Sequence, residues 1–226
     1  MNTKYGAVSR RELLELALGF GGYALCTTAS ATTASATNRT FTPPMTQGPF
    51  YPERKPLDQD ADLTRTRGQA GHAQGGVVHV TGRVLNEKGE PVAGARIEVW
   101  QANAAGRYTH SSDPNTAPLD PNFTGYGVMR TDREGHYSFK TIKPGSYPGL
   151  TTGVRAPHVH FDVAGNVNRL ITQMFFPNEP TNATDRLFLD VRPERRGTLL
   201  ARVGQPTKNL EPNSTVAVWD IVLMTG

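Results

Sequence analysis

His158 and His160 stand two residues apart in the segment RAPHVHF, Arg155 to Phe161. In an extended strand successive side chains alternate, so both imidazoles face the same side. Neutral imidazoles placed in this way can share a metal, although an HxH pair alone also describes a half-exposed strand face. Two tyrosines add to the pattern: Tyr108 in WQANAAGRY and Tyr147 in KPGSYPG, each close to a glycine where a strand should end. Taken singly, either would be a core or turn tyrosine with a satisfied hydroxyl. Taken together with the histidines, they specify a metal chemistry. A phenol has an unperturbed pKa of about 10, so holding it ionised at neutral pH requires a strong Lewis acid beside it. Ferric iron meets that need, because two phenolates and two neutral imidazoles leave the trivalent ion a single net charge and room for a hydroxide. Zinc normally recruits thiolate, imidazole or carboxylate, and the sole cysteine, Cys26, lies near the N-terminus. Ferrous oxygenases usually present two histidines and a carboxylate; a cupin would want a Glu shortly after its HxH, and Phe161 to Val167 contain none.

The elements that must position these groups read as strands. Alternating or β-branched runs recur at Val77 to Val84, Ala95 to Ala102, His136 to Ile142, His158 to Ala164, Leu170 to Phe176, Arg186 to Val191 and Val216 to Leu223, separated by Gly, Pro, Asn and Asp turns. NEKGEP, Asn86 to Pro91, links the first two in hairpin fashion. Short strands without a sustained helical period predict an all-β fold, a β-sandwich of mostly antiparallel strands with long loops. The chain of 226 residues suits one such domain, assigned to 77–226. A turn-rich arm, 37–76, carries GPFYP at Gly48 to Pro52 and is expected to wrap the domain surface.

Residues 1–36 read as an address rather than as fold. Arg10 and Arg11 precede a modest apolar stretch, Leu13 to Leu25, and a small-residue tract with ASA at Ala29 to Ala31 and again at Ala34 to Ala36. This is the pattern of a twin-arginine export signal, which would place the protein in the periplasm or outside the cell. The apolar stretch is too short to span a bilayer and contains Glu15, so no stable membrane insertion is expected. Removal of the signal would leave no cysteine and hence no disulfide.

At this point the chain resembles a known family, the intradiol ring-cleavage dioxygenases, and most closely their protocatechuate 3,4-dioxygenase-like branch. The resemblance runs from about Thr42 to Gly226 and rests on GPFYP, on GRVLNEKGEPVAGARIEVWQANAAGRY (Gly82 to Tyr108), on PLDPNF (Pro118 to Phe123), on TDREGHYSFKTIKPGSYP (Thr131 to Pro148), on RAPHVHF and on RLITQMFF (Arg169 to Phe176). It implies a mononuclear non-haem Fe(III) held by Tyr108, Tyr147, His158 and His160. It further implies that Tyr147 is the ligand that leaves to accept a substrate proton, opposite His160, while Tyr108 and His158 stay. Arg155 would stabilise charge on a bound catecholate, as a guanidinium that cannot lose its proton and offers planar donors, and Gln173 would be a hydrogen-bonding pocket residue. The implied substrates are a catechol-type ring, protocatechuate-like, and O2, and the implied product is a cis,cis-muconate-type diacid. The family's sandwiches usually associate, so a homo-oligomer is implied. PGLTTGV after Tyr147 is shorter than in protocatechuate enzymes and lacks a tryptophan expected just after the second ligand tyrosine, which leaves the substrate open.

Other readings remain beside this one. GRVLNEKGEPVAGARIEVW also fits transthyretin-like or carboxypeptidase-regulatory-like binding sandwiches, which need neither the tyrosine pair nor HxH. Copper or zinc at the same residues would give a different enzyme. The net charge of +4 is moderate and its charges are scattered, so nucleic acid is not implied. His72, His79, His110 and His136 are expected at the surface, with His110 close enough to the Tyr108 loop to reach the site's periphery. Trp100 and Trp219 are expected in the core.

Overall fold

A computed structural model describes residues 39–151 and 153–224; the export-signal expectation for 1–36 lies outside them. In chain order the elements are β1 (Val77–Asn86), β2 (Arg96–Trp100), β3 (Tyr126–Arg130), β4 (His136–Ile142), β5 (Tyr147–Pro148), β6 (Val154–Arg155), β7 (His158–Ala164) and β8 (Arg169–Phe175). They are followed by α1 (Arg186–Leu189), α2 (Pro193–Arg196), β9 (Arg202–Gly204), β10 (Thr215–Val218) and β11 (Ile221–Leu223). Two principal sheets form, as the strand pattern predicts. One runs β3-β2-β7-β8 and is antiparallel throughout; the other is built on β1, which pairs with β4 antiparallel and with β10 and β11 in parallel. A short ladder joins β5 to β6 and sets Tyr147 opposite Arg155.

Alternation divides the first sheet into two faces. Ile97 and Val99 of β2 and Val159, Phe161 and Val163 of β7 enter the main core. There they meet Val78, Val80 and Phe139 from the other sheet and Trp219 from the link between β10 and β11. The opposite face carries the polar chemistry, for Trp100, His160 and Gln173 lie side by side across β2, β7 and β8, with Glu98 and Asp162 in the next row. That face is covered by the chain preceding β1. Met45 donates its N–H to the Ile171 carbonyl and Val128 its own to the Gln59 carbonyl. Leu63 reaches the main core.

Several local expectations are corrected. Arg186 to Val191 is not a strand; α1 forms because the Asp185 carboxylate caps it, accepting from the N–H groups of Leu187 and Phe188. The turn at Asn86 to Pro91 does not pair β1 with β2: it closes only the Leu85–Pro91 bridge, and the chain crosses to the other sheet. Val216 to Leu223 breaks at Trp219 and Asp220 into β10 and β11, which follow one another along β1. β3, with Gly127 inside it, was not anticipated. Among the described residues no helix is long and apolar enough to cross a membrane.

Candidate active site

Tyr108 lies in the long connection between β2 and β3, where Asn103 shapes the backbone: its Oδ1 accepts from the N–H groups of Ala105 and Arg107. Asp113 then accepts from the N–H of Tyr108 at 2.7 Å. Tyr147 begins β5. The two loops touch at a pair of glycines, since a Cβ on Gly106 would come 2.4 Å from the Ser146 carbonyl oxygen and one on Gly145 2.5 Å from that of Ala104. Gly106 also has a φ of 77°, a conformation that other residues adopt only with strain. These glycines bring the phenol oxygens within 3.4 Å of each other. The glycines noted beside each tyrosine therefore allow the loops to meet.

His158 and His160 face the same side of β7, as their spacing predicts, with Nε2 atoms 3.2 Å apart. The Tyr147 oxygen is 3.4 Å from His158 Nε2. His158 Nδ1 is 2.6 Å from the Ala156 carbonyl; a carbonyl only accepts, so Nδ1 carries the proton and Nε2 presents a lone pair. His160 is oriented by packing: the Trp100 ring stacks on it at 4.8 Å and 7°. Its Nδ1 is buried with no hydrogen-bond partner among the described residues. Trp100 is a core residue, as expected, and also the backing of this histidine. Phe50 of the arm closes over the group, 4.9 Å from the Tyr108 ring.

All four side chains are buried. Burial raises the Tyr108 phenol well above its ordinary value, with the neighbouring Tyr147 adding to the effect. Burial likewise raises Tyr147, against the lowering influence of Arg155. Burial, followed by the positive charge of Arg155, holds both imidazoles well below their ordinary value. The set is thus two neutral imidazoles and two phenols that only a strong local cation would ionise. The donor atoms also have suitable spacing, because ligands about 2.1 Å from a common ion stand roughly 3 Å apart. The residues present fit a hard, highly charged metal ion.

Beside Tyr147 opens a cavity of about 410 Å³, walled by Pro49, Phe50, Leu150, Leu187 and Arg155. Of the four side chains, Tyr147 lines this cavity. Arg155 is buried, and its Nε donates to both Asp185 oxygens, at 3.0 and 3.2 Å. Its Nη2 donates to Gln173 Oε1 at 2.6 Å. Gln173 is itself buried and spends its amide N–H on the Thr46 carbonyl at 2.9 Å. It therefore acts on Arg155 rather than on the cavity directly.

Asp185 was missed by sequence reasoning, although an Asp before Arg-Leu-Phe is a helix-start signal. Glu98 was missed too. Its buried carboxylate accepts from Tyr51 at 2.6 Å and Tyr126 at 2.5 Å and pairs with Lys55 and Arg96, tying the arm to the sheet beside Trp100. Of the remaining histidines, His72 and His136 are exposed and His79 pairs with Glu211 at 2.6 Å. His110 departs from the surface expectation, since its side chain is 8 % exposed and its ring packs 5.7 Å from Phe50.

The family model described as "Dioxygenase" matches residues 46–225. The chain is 45 % identical over 172 residues to the protocatechuate 3,4-dioxygenase beta chain of Burkholderia cepacia, covering 74 % of this chain and 72 % of that one. It is 37 % identical over 123 residues to the hydroxyquinol 1,2-dioxygenase of a Rhizobium strain, where the match spans 48 % of this chain and only 40 % of the relative. The dioxygenase domain of a dioxygenase and carbohydrate-binding protein fusion from Streptomyces sp. SirexAA-E superposes with a TM-score of 0.62 at 27 % identity, over 83 % of this chain and all of that one. The chain belongs to the intradiol ring-cleavage dioxygenases, a family of oxidoreductases that is generally iron-dependent, and within them it is protocatechuate 3,4-dioxygenase-like. A stand-alone binding sandwich is thereby set aside.

Proposed function

We propose that this protein is an exported, Fe(III)-dependent intradiol dioxygenase that cleaves a catechol-type ring between its two hydroxyl-bearing carbons. Both atoms of O2 enter the product, a cis,cis-muconate-type diacid. The observation that carries this reading is the convergence of four buried donor side chains, Tyr108, Tyr147, His158 and His160, beside a cavity that Tyr147, of the four, lines. The chemistry supplied by bound Fe(III) is Lewis acidity, which ionises phenols and draws electron density from a catecholate.

The chain's own residues divide the remaining work. Tyr147, at the cavity wall, is placed to accept a proton from a substrate hydroxyl at its Oη. Tyr108 and the two imidazoles lie behind it and keep their positions. Arg155 presents preorganised positive charge where the oxidised ring develops negative charge, and Asp185 and Gln173 fix its plane. Phe50 and Pro49 wall the cavity on the side of the arm. Oxygen uptake by the iron-loaded protein across a panel of catechols, with the ring-cleavage position of the product identified, tests the reading. Uptake with cleavage between the hydroxylated carbons is expected; no uptake, or cleavage outside the diol, contradicts it. Arg155→Ala should retain iron while lowering turnover on the order of a hundredfold or more.

Export and assembly belong to the same proposal. Arg10 and Arg11 act as an address for an exporter of folded proteins, so replacing both by Lys should leave folded protein in the cytoplasm, and unchanged export would contradict this. Self-association follows from the family resemblance; light scattering of the purified protein should report more than a monomer, and a strict monomer would refute it.

A further inference from the structure

The cavity beside Tyr147 is larger and less polar than a bare catechol requires. Its volume of about 410 Å³ lies in the range of sites that enclose drug-sized ligands, about 300–1,000 Å³. A catechol held with its hydroxyls at Tyr147 leaves the far side of this space to Leu150 and Leu187, with Pro49 and Phe50 along the arm. Leu150 is 57 % exposed, an apolar side chain at the mouth that gains burial when a molecule enters. Among the described lining residues Arg155 is the single charged group; its Nε and Nη2 are held by Asp185 and Gln173, and its charge serves the diol end of the ring in the reading above. A ring carboxylate entering this space would lose water and, with Arg155 serving the diol, find no second cation among the described lining residues. Such burial is strongly unfavourable.

We propose that the ring this site takes carries an uncharged, apolar substituent, an alkyl, aryl or halogen group lodged against Leu150 and Leu187, and that the site discriminates against ring carboxylates. The inference rests on the reading of the site as a catechol dioxygenase and narrows it. It also separates this chain from the substrate named for its protocatechuate 3,4-dioxygenase relative.

The test compares 4-ethylcatechol with protocatechuate on the full-length, iron-loaded protein, reading kcat/KM by oxygen uptake and, separately, Kd by anaerobic calorimetry. The alkylcatechol should lead by about tenfold or more in both, the discrimination that one or two methylenes supply in an apolar pocket. Leu187→Arg should narrow or reverse that ranking by placing a cation in the wall, and Leu150→Lys, at an exposed position, provides the same change if the first variant does not fold. Protocatechuate bound and cleaved as well as or better than the alkylcatechol by the wild-type protein would overturn this inference and leave the dioxygenase reading standing. Selective binding of the alkylcatechol without ring cleavage would uphold the pocket's selectivity and overturn the dioxygenase reading instead.

Discussion

Removing the charge of Asp185 should destabilise the protein more than removing the charge it neutralises. Asp185 is fully buried and accepts from Arg155 Nε, from the N–H of Ala156 at 2.9 Å and from those of Leu187 and Phe188 at 3.0 and 3.3 Å. Asp185→Asn keeps a carbonyl oxygen for the α1 cap but leaves the Arg155 guanidinium buried without its anion, a situation that costs about 3–5 kcal/mol. The cap contributes about 1 kcal/mol and an unsatisfied Ala156 N–H about 1–3 kcal/mol. These overlap with the charge effect and do not simply add, so about 3–5 kcal/mol is the expected loss. Against a typical total of about 5–15 kcal/mol, the variant should fold with a much lower urea midpoint. Arg155→Met should cost less, because three backbone N–H groups still satisfy the carboxylate. Urea unfolding of both variants, with m-values compared to confirm the same transition, decides the matter. An Asp185→Asn variant within about 0.5 kcal/mol of wild type, or a costlier Arg155→Met, would refute the pairing as the anchor of this guanidinium.

Further outcomes follow from the same geometry. Gly106→Ala places a Cβ 2.4 Å from the Ser146 carbonyl at a φ of 77°; it should cost about 1–3 kcal/mol of strain and, by parting the two tyrosine loops, lower bound iron measured by mass spectrometry, whereas full metal content would show that loop contact is dispensable. Burial alone would raise the Glu98 carboxyl, but hydrogen bonds from Tyr126, Tyr51, Arg96 and Lys55 outweigh it and hold it down to about 2. A folded-state value below the unfolded one of about 4.3 means that Glu98 contributes stability above that pH and loses it as pH falls toward about 2. The stability gap between wild type and Glu98→Gln should therefore be widest near neutrality and shrink across that window in unfolding titrations, and a gap independent of pH would contradict the assignment.

The parts of the fold visible in the sequence were those written locally. β1, β4 and β7 alternate apolar with polar side chains along the strand, and the HxH spacing puts His158 and His160 on one face. The glycines beside the tyrosines read as marks of strand ends; that Gly106 and Gly145 let two loops touch is visible only in the structure. What stayed hidden depends on partners distant in sequence. Arg155 meets Asp185 across 30 positions and Tyr51 meets Glu98 across 47, and no local period records such pairs. At Arg186 to Leu189 a cap overrode apolar alternation, because four residues bury only Phe188 and the Asp185 carboxylate satisfies their free N–H groups. β3 was masked by Gly127, which weakens a strand signal.

The central claim is that Tyr108, Tyr147, His158 and His160 hold ferric iron, and it is tested most directly by metal analysis with visible spectroscopy on the purified protein. Stoichiometric iron and a reddish colour from tyrosinate-to-Fe(III) charge transfer are expected, with the colour altered in Tyr108→Phe and in Tyr147→Phe and abolished when both tyrosines are replaced. A colourless protein carrying stoichiometric zinc, or an iron protein whose spectrum is unchanged in both tyrosine variants, would contradict the account.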